Sequence, residues 1–247
     1  MKQSKPFFSI VIPTLNEEKY LPHLLDDLSK QTFKNFEATI VDGGSIDTTV
    51  TKALSFKNTL PEFRIVTSKK RNVSYQRNLG GKKSSGQYLL FIDADTRLES
   101  RFLSSLNNQL IIDYPYTFSC WFDSVDKKTT FQLLCLITSF SYWLLFKFHL
   151  PSAPGCLLGI KRKIFNKMRG FIENIEFAED RDLIRRCYKK GLDFHFYFKP
   201  KYSMSLRRVE RVGLIKYLYI FLLVNTKRQL GLKIDRNNEY PMGGEGY

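Results

Sequence analysis

Histidine, tryptophan and cysteine are scarce in this chain of 247 residues, with three, two and four copies. His23, His149 and His195 share no metal-ligand spacing, so each reads as structural. Cys120, Cys135, Cys156 and Cys187 are scattered without a C-x-x-C pair. That excludes a zinc module or a disulfide framework and suggests reduced, packed thiols in a cytosolic protein. No internal repeat is visible, and no signal-peptide pattern opens the chain. The apolar run at residues 7–12 is short and stops at Pro13, which suits a buried strand. Acidic residues are also in deficit, 24 against 39 basic ones, for a formal charge of +15. The imbalance is local: residues 1–125 carry a net +3 and the remainder +12, and most of the aromatic excess follows residue 113. A basic, aromatic second half points to an anionic partner such as lipid headgroups, a phosphorylated carrier or nucleic acid.

What is present is an alternation of apolar strands and helices. FFSIVIP, FEATIVD, FRIVTS and QYLLFID read as four strands. Between them lie helices at residues 20–31, after Asp47, and at 74–83. Strands apolar throughout and separated by helices predict an α/β fold with a mostly parallel, Rossmann-like sheet covered on both faces. Ligands of such sheets sit at the carboxyl ends of the strands. Those ends carry Pro13-Thr14-Leu15-Asn16-Glu17, Asp42-Gly43-Gly44-Ser45 and Asp93-Ala94-Asp95. The second half is less regular: a strand over 117–125, an apolar stretch over 131–150, a strand over 157–161, a helix over 178–190, a short strand over 194–198 and a helix over 209–230. The tail PMGGEGY is expected to be disordered.

Asp93 and Asp95, two residues apart after a buried strand, form a donor set for a hard cation, Mg²⁺ or Mn²⁺. Such an ion would neutralise a diphosphate leaving group. The plainer alternative is that they cap the following helix. Asp42 can accept from the imide N–H of a pyrimidine or guanine base, while the glycines let backbone approach a ligand. Glu179-Asp180 precedes the periodicity of Leu183, Ile184 and Cys187, which puts Asp180 in a first helical turn, where the dipole favours its ionised form.

The order IPTLNEE, VDGGSIDTT, Arg77-Asn78, FIDADT and AEDRDLIRR resembles the inverting family 2 glycosyltransferases with a GT-A fold, over roughly residues 7 to 200. The resemblance implies nucleotide contacts by Pro13, Thr14 and Glu17, base recognition by Asp42, and Arg77 near the nucleotide. It further implies Asp93 on the ribose, Asp95 on the metal, and Glu179-Asp180 below the acceptor with Asp180 as base. The implied donor is a nucleotide-sugar, UDP-linked by preference, with GDP and dTDP forms as alternatives. Two departures stand out. Gly43 replaces a second aspartate, and Met168-Arg169-Gly170-Phe171 replaces a double glycine before phenylalanine. The Q-x-x-R-W signature of processive synthases is absent, which favours single additions.

The resemblance divides the chain into a transferase domain over 1–205, with a donor half (1–125) and an acceptor half (126–205), and a basic helical extension over 206–247. The stretch at 131–150 has the length of a membrane span. A single crossing, however, would put Asp95 and Asp180 on opposite sides. An interfacial placement on the inner face of an anionic membrane, with a glycan or lipid-linked acceptor, fits the stretches 131–150 and 214–224. The same segments would equally serve as core or as a homodimer interface. Arg207 and Arg208 read as a solvated basic face, with contact to a diphosphate as the alternative. A nucleic-acid binder leaves the acids at the strand ends unexplained. A non-catalytic binding subunit does not account for both intact acid pairs, and a polyprenyl-phosphate glycosyl synthase would need no base.

Overall fold

A computed structural model describes residues 5–175, 178–216, 218, 219 and 223. In chain order its elements are β1 (Phe8–Thr14), α1 (Leu21–Ser29), β2 (Phe36–Asp42), α2 (Thr49–Leu54), β3 (Glu62–Thr67), α3 (Val73–Lys83), β4 (Tyr88–Ile92), β5 (Arg97–Leu98), α4 (Phe102–Asp113), β6 (Thr117–Ser124), α5 (Thr129–Lys147), β7 (Leu157–Lys161), α6 (Arg162–Lys167), α7 (Glu179–Tyr188), β8 (Phe194–Met204) and α8 (Arg207–Val212). Among the described residues the strands form one sheet in the order β3-β2-β1-β4-β7-β6-β8-β5.

The first four strands pair in parallel, with Thr14 opposite Asp42 and Asp42 opposite Thr67, so their carboxyl ends share one edge. β1, β2 and β4 are buried along their whole length, as their unbroken apolar runs require, whereas β3 at the sheet edge is only half-buried. β7 enters antiparallel between β4 and β6, which makes the sheet mixed in its second half. Apolar positions in α1 recur as Leu21, Leu24, Leu25 and Leu28, the spacing of one buried helical face.

α3 breaks that pattern. Ser74, Gln76, Arg77, Asn78, Gly80 and Gly81 are all buried in it. It packs closely on β1 because Gly80 has no side chain; a Cβ there would stand 2.3 Å from Val11 Cγ1. That close approach carries polar side chains beneath the carboxyl edge of the sheet.

Some sequence expectations change. The strand expected at 194–198 runs on to Met204, because its far half pairs with Phe122–Ser124 and with β5. The helix expected over 209–230 starts at Arg207 and is broken at Gly213, whose φ of +86° no helix contains. Helical backbone resumes over 214–216 and is found again at 218, 219 and 223, while residues 217, 220–222 and 224–247, the tail among them, lie outside the described residues. The apolar stretch at 131–150 is helix α5, laid along the sheet. Phe131, Cys135 and Ser139 are its buried face, and the Ser139 hydroxyl donates to the Phe122 carbonyl at 3.0 Å.

Candidate active site

Six of the acids and bases singled out in the sequence come together at the carboxyl edge. The hub is Arg77, whose side chain is only 3% exposed. Nη1 donates to Glu179 Oε1 at 2.6 Å, and Nη2 donates to Asp93 Oδ1 and to the Gly155 carbonyl, both at 2.9 Å. One guanidinium thereby joins α3, the turn after β4, the loop before β7 and the first turn of α7. Both terminal nitrogens are thus committed to protein, while Nε is buried with no hydrogen-bond partner among the described residues. A buried guanidinium requires such partners, since an unpaired buried charge is costly.

Asp180 is buried beside Glu179 in the first turn of α7. Burial, with the neighbouring Glu179 charge, pushes its carboxyl up to about 7, and Arg77 offsets only part of that. The sequence expectation of a dipole-ionised carboxylate is corrected here, because desolvation outweighs the helix terminus. Gly155 lines the same spot; a Cβ there would lie 3.7 Å from Asp180 Oδ2.

On the other flank, Arg207 changes the reading of the basic segment. It faces inward and not into solvent. Nη1 and Nη2 donate to the Glu17 carboxylate at 2.9 and 2.5 Å, and Nε lies 3.1 Å from Asp95 Oδ2. Its guanidinium also covers the Tyr20 ring at 4.5 Å. Asp95 is pushed up to about 7 by burial, and Glu17 is raised by the same cause. Asp93 keeps about a third of its side chain exposed and so presents the open side of the pair.

Asp42 stands apart from this cluster. Its Oδ2 accepts from the Gly44 and Ser45 amides at 3.0 and 3.1 Å, and Oδ1 accepts from the Ser45 hydroxyl at 2.5 Å. It therefore shapes its own loop while keeping acceptor capacity, since a carboxylate has about four lone-pair sites. The Ser45 hydroxyl also accepts from the Asn16 amide at 2.9 Å, which ties this loop to the one after β1. Pro13 and Thr14 are buried at the end of β1, and the Thr14 carbonyl accepts from Gly43 N and Gln76 Nε2. Gln76 also explains Gly43, because a Cβ at position 43 would press on Gln76 Nε2 at 3.1 Å and on the Thr14 carbonyl at 3.3 Å.

Sequence reasoning missed Gln76, Asn78 and Arg186 as builders of the site. Asn78 Nδ2 donates to the Phe171 carbonyl and its Oδ1 accepts from the Phe171 amide, at 2.9 and 2.8 Å. Arg186 donates to the Met168 and Gly170 carbonyls at 2.8 and 2.7 Å. These bonds hold the Met168–Phe171 turn in a helix-breaking shape, in which Arg169 takes a φ of +60° and Gly170 one of +68°. The signal that could have revealed them is α3 itself, a polar helix with adjacent glycines that is buried all the same.

The donor chemistry of the Asp93–Asp95 pair fits a hard divalent cation, which commonly takes one or two carboxylates and completes its shell with phosphate oxygens and water. Among the described residues no group of three or more His, Cys, Asp or Glu forms a ready-made cage. Any ion here would depend on its ligand for coordination.

Known proteins share this architecture. Residues 9–169 match the family model described as glycosyl transferase family 2. A segment of 94 residues is 42% identical to a PGL/p-HBAD biosynthesis glycosyltransferase of Mycobacterium tuberculosis, covering 38% of this chain and 37% of that one. An uncharacterized glycosyltransferase of Rickettsia prowazekii is 30% identical over 200 residues, 74% of this chain and 59% of its own length. The chain thus spans well under two thirds of the curated relatives it matches. Among solved structures, S. aureus TarS in complex with UDP superposes with a TM-score of 0.67 at 20% identity, over 81% of this chain and 60% of that one. A mannosyltransferase of Pyrobaculum calidifontis in complex with GDP-Man and Mn²⁺ gives 0.64 at 19% identity, over 81% and 57%. The fold is that of the GT-A glycosyltransferases. With the matched model covering most of the described strands and helices, the chain belongs to glycosyl transferase family 2.

Proposed function

We propose that this chain is a glycosyltransferase that moves a sugar from a nucleotide-sugar donor to a hydroxyl acceptor with inversion, using Asp180 as the base. The observation that carries the reading is the buried Asp180, poised near neutrality beside the Arg77–Glu179 pair. An acceptor hydroxyl is a weak nucleophile, and a carboxylate titrating near the working pH can take its proton as it attacks. Attack by the hydroxyl oxygen on the anomeric carbon forms the new C–O bond and breaks the bond to the diphosphate. The proton passes to Asp180 and the negative charge leaves on the nucleoside diphosphate. Glu179 is a positioning residue on this reading, because its carboxylate is occupied by Arg77. Pro13, Thr14, Glu17 and Asp42 line the donor end, with Asp42 offered to the base. A Mg²⁺ or Mn²⁺ ion held by Asp95 and Asp93 would supply Lewis-acid neutralisation of the leaving diphosphate.

The acceptor side of the proposal is a glycan or lipid-linked hydroxyl at an anionic membrane surface. α5 supports it: the helix is long and apolar enough to cross a membrane by length and composition, yet one face of it packs on β6 and β8. Leu133, Leu136, Ile137, Phe140 and Leu144 are left exposed on its outer side. No Asp or Glu occurs between Asp126 and Glu173, while Lys127, Lys128 and Lys147 flank the helix. Such a face matches an interfacial helix on anionic lipid.

The test of the core reading is nucleotide release by purified protein from a panel of UDP-, GDP- and dTDP-sugars with Mn²⁺ or Mg²⁺. Slow metal-dependent hydrolysis of one donor, lost in Asp95→Ala, is the expected result. No release and no metal-dependent nucleotide binding by calorimetry would overturn it. For the membrane, flotation with anionic liposomes at low salt is expected, and its absence would leave α5 as a protein interface.

A further inference from the structure

α8 is short, but it is fixed to the body of the molecule at several points. Leu206, just before it, and Val209 within it are buried, and Lys128 at the start of α5 pairs with Glu210 at 2.6 Å. This anchoring delivers one guanidinium into the cluster of acids. The Arg207 fork lies bidentate on Glu17, and its Nε reaches Asp95 Oδ2 at 3.1 Å. Asp95 is also the carboxylate to which the proposed function gives the divalent ion. Two cations cannot share one carboxylate oxygen at such distances without strong mutual repulsion, least of all where protein shields them from water. A bound nucleoside diphosphate changes the balance, because its oxygens accept a planar guanidinium fork as well as a carboxylate does.

We propose that Arg207 is a resident cation of the donor site that competes with the divalent ion for Asp95 and gives it up only when a nucleoside diphosphate is there to receive the guanidinium. The inference rests on the metal-and-nucleotide reading above and adds a rule to it. Metal alone binds weakly, nucleotide and metal bind cooperatively, and the segment carrying Arg207 moves with the exchange. Glu17 is then the carboxylate that parks Arg207, and the Tyr20 ring is the floor on which it rests.

The experiment is a Mn²⁺ titration of the full chain followed by electron paramagnetic resonance of the free ion, without nucleotide and with UDP or GDP. Wild type is expected to bind Mn²⁺ weakly alone and more tightly with one of the diphosphates. Arg207→Gln is expected to bind Mn²⁺ alone about tenfold more tightly than wild type and to lose most of the nucleotide enhancement. Arg211→Gln, an exposed change on the same helix, should behave as wild type. Should Arg207→Gln fail to fold, Arg207→Lys keeps the charge without the fork and should show a smaller gain in the same direction. Mn²⁺ affinity unchanged or weakened in the Arg207 variant, with nucleotide enhancement intact, would overturn the competition and leave the transferase reading standing. Failure of wild type and variants alike to bind Mn²⁺ or either nucleotide would overturn both.

Discussion

At the scale of single residues, the first quantity to measure is the ionisation of Asp180. A base must be deprotonated to act, so kcat/KM on a hydroxyl acceptor is expected to fall as pH drops below about 7. Asp180→Asn should lower that activity by roughly 10²–10⁴-fold with nucleotide binding retained, measured by single-turnover transfer and calorimetry. Transfer to a phosphate acceptor that survives the substitution would instead favour a polyprenyl-phosphate synthase. Arg169 is a second residue with a definite expectation. It is exposed and holds a φ of +60°, where the family resemblance expects glycine. Left-handed backbone costs a residue with a Cβ roughly 1 kcal/mol, so Arg169→Gly should raise Tm by about 1–4 °C in a thermal melt. A lower Tm would mean that the Arg169 side chain contributes more than its backbone costs.

At the scale of elements, α3 carries the argument. Its closeness to β1 depends on Gly80, and Arg77 and Asn78 reach their partners only because the helix sits that deep. Gly80→Ala forces a methyl to within 2.3 Å of Val11 Cγ1. Overpacking of this kind typically costs about 1–3 kcal/mol, and displacement of α3 would loosen both the Arg77 fork and the Phe171 turn. The expected result is a lower Tm together with weaker nucleotide binding; Val11→Ala in the same chain should restore part of both. The alternation of strands and helices in the first half was legible because each strand is buried on both faces and therefore apolar throughout. α3 was read as a helix, but not as a buried one, since its composition is that of an exposed element.

At the scale of the whole molecule, charge links site and stability. Asp95 and Asp180 both have carboxyls raised from 3.8 to about 7, so folding favours their protonated forms. The stability they contribute is complete below pH 4 and is lost as pH rises through about 7. Glu37 works in the opposite sense. It is buried at the far end of the sheet, where its carboxylate accepts from the Ser9 hydroxyl, from the Ser85 hydroxyl and amide, and from the Arg64 guanidinium. Although burial acts against it, those bonds hold its carboxyl below the usual 4.5, so its contribution is present above that pH and lost as pH falls. Urea midpoints are therefore expected to be highest between pH 4 and 5 and lower at pH 8, and Asp180→Asn should reduce the loss at pH 8. A midpoint that rises steadily to pH 8 would show that the two site acids are not strained in the folded state.

The sequence by itself determined the α/β class, the strand ends that carry the acids and the family, because buried parallel strands and short turn motifs are written in contiguous residues. Asp93, Asp95, Glu179 and Asp180 were legible for the same reason, as each pair follows or opens a recognisable element. Tertiary structure alone decided which of these groups meet and in what ionic state. Arg77 and Glu179 are far apart in the chain but share an ion pair, and Arg207 comes from the segment after β8 to reach Glu17 and Asp95. Burial, and with it the pKa of Asp180, is likewise a property of the packed molecule. It depends on how much water the neighbouring elements exclude, and no local stretch of sequence encodes that.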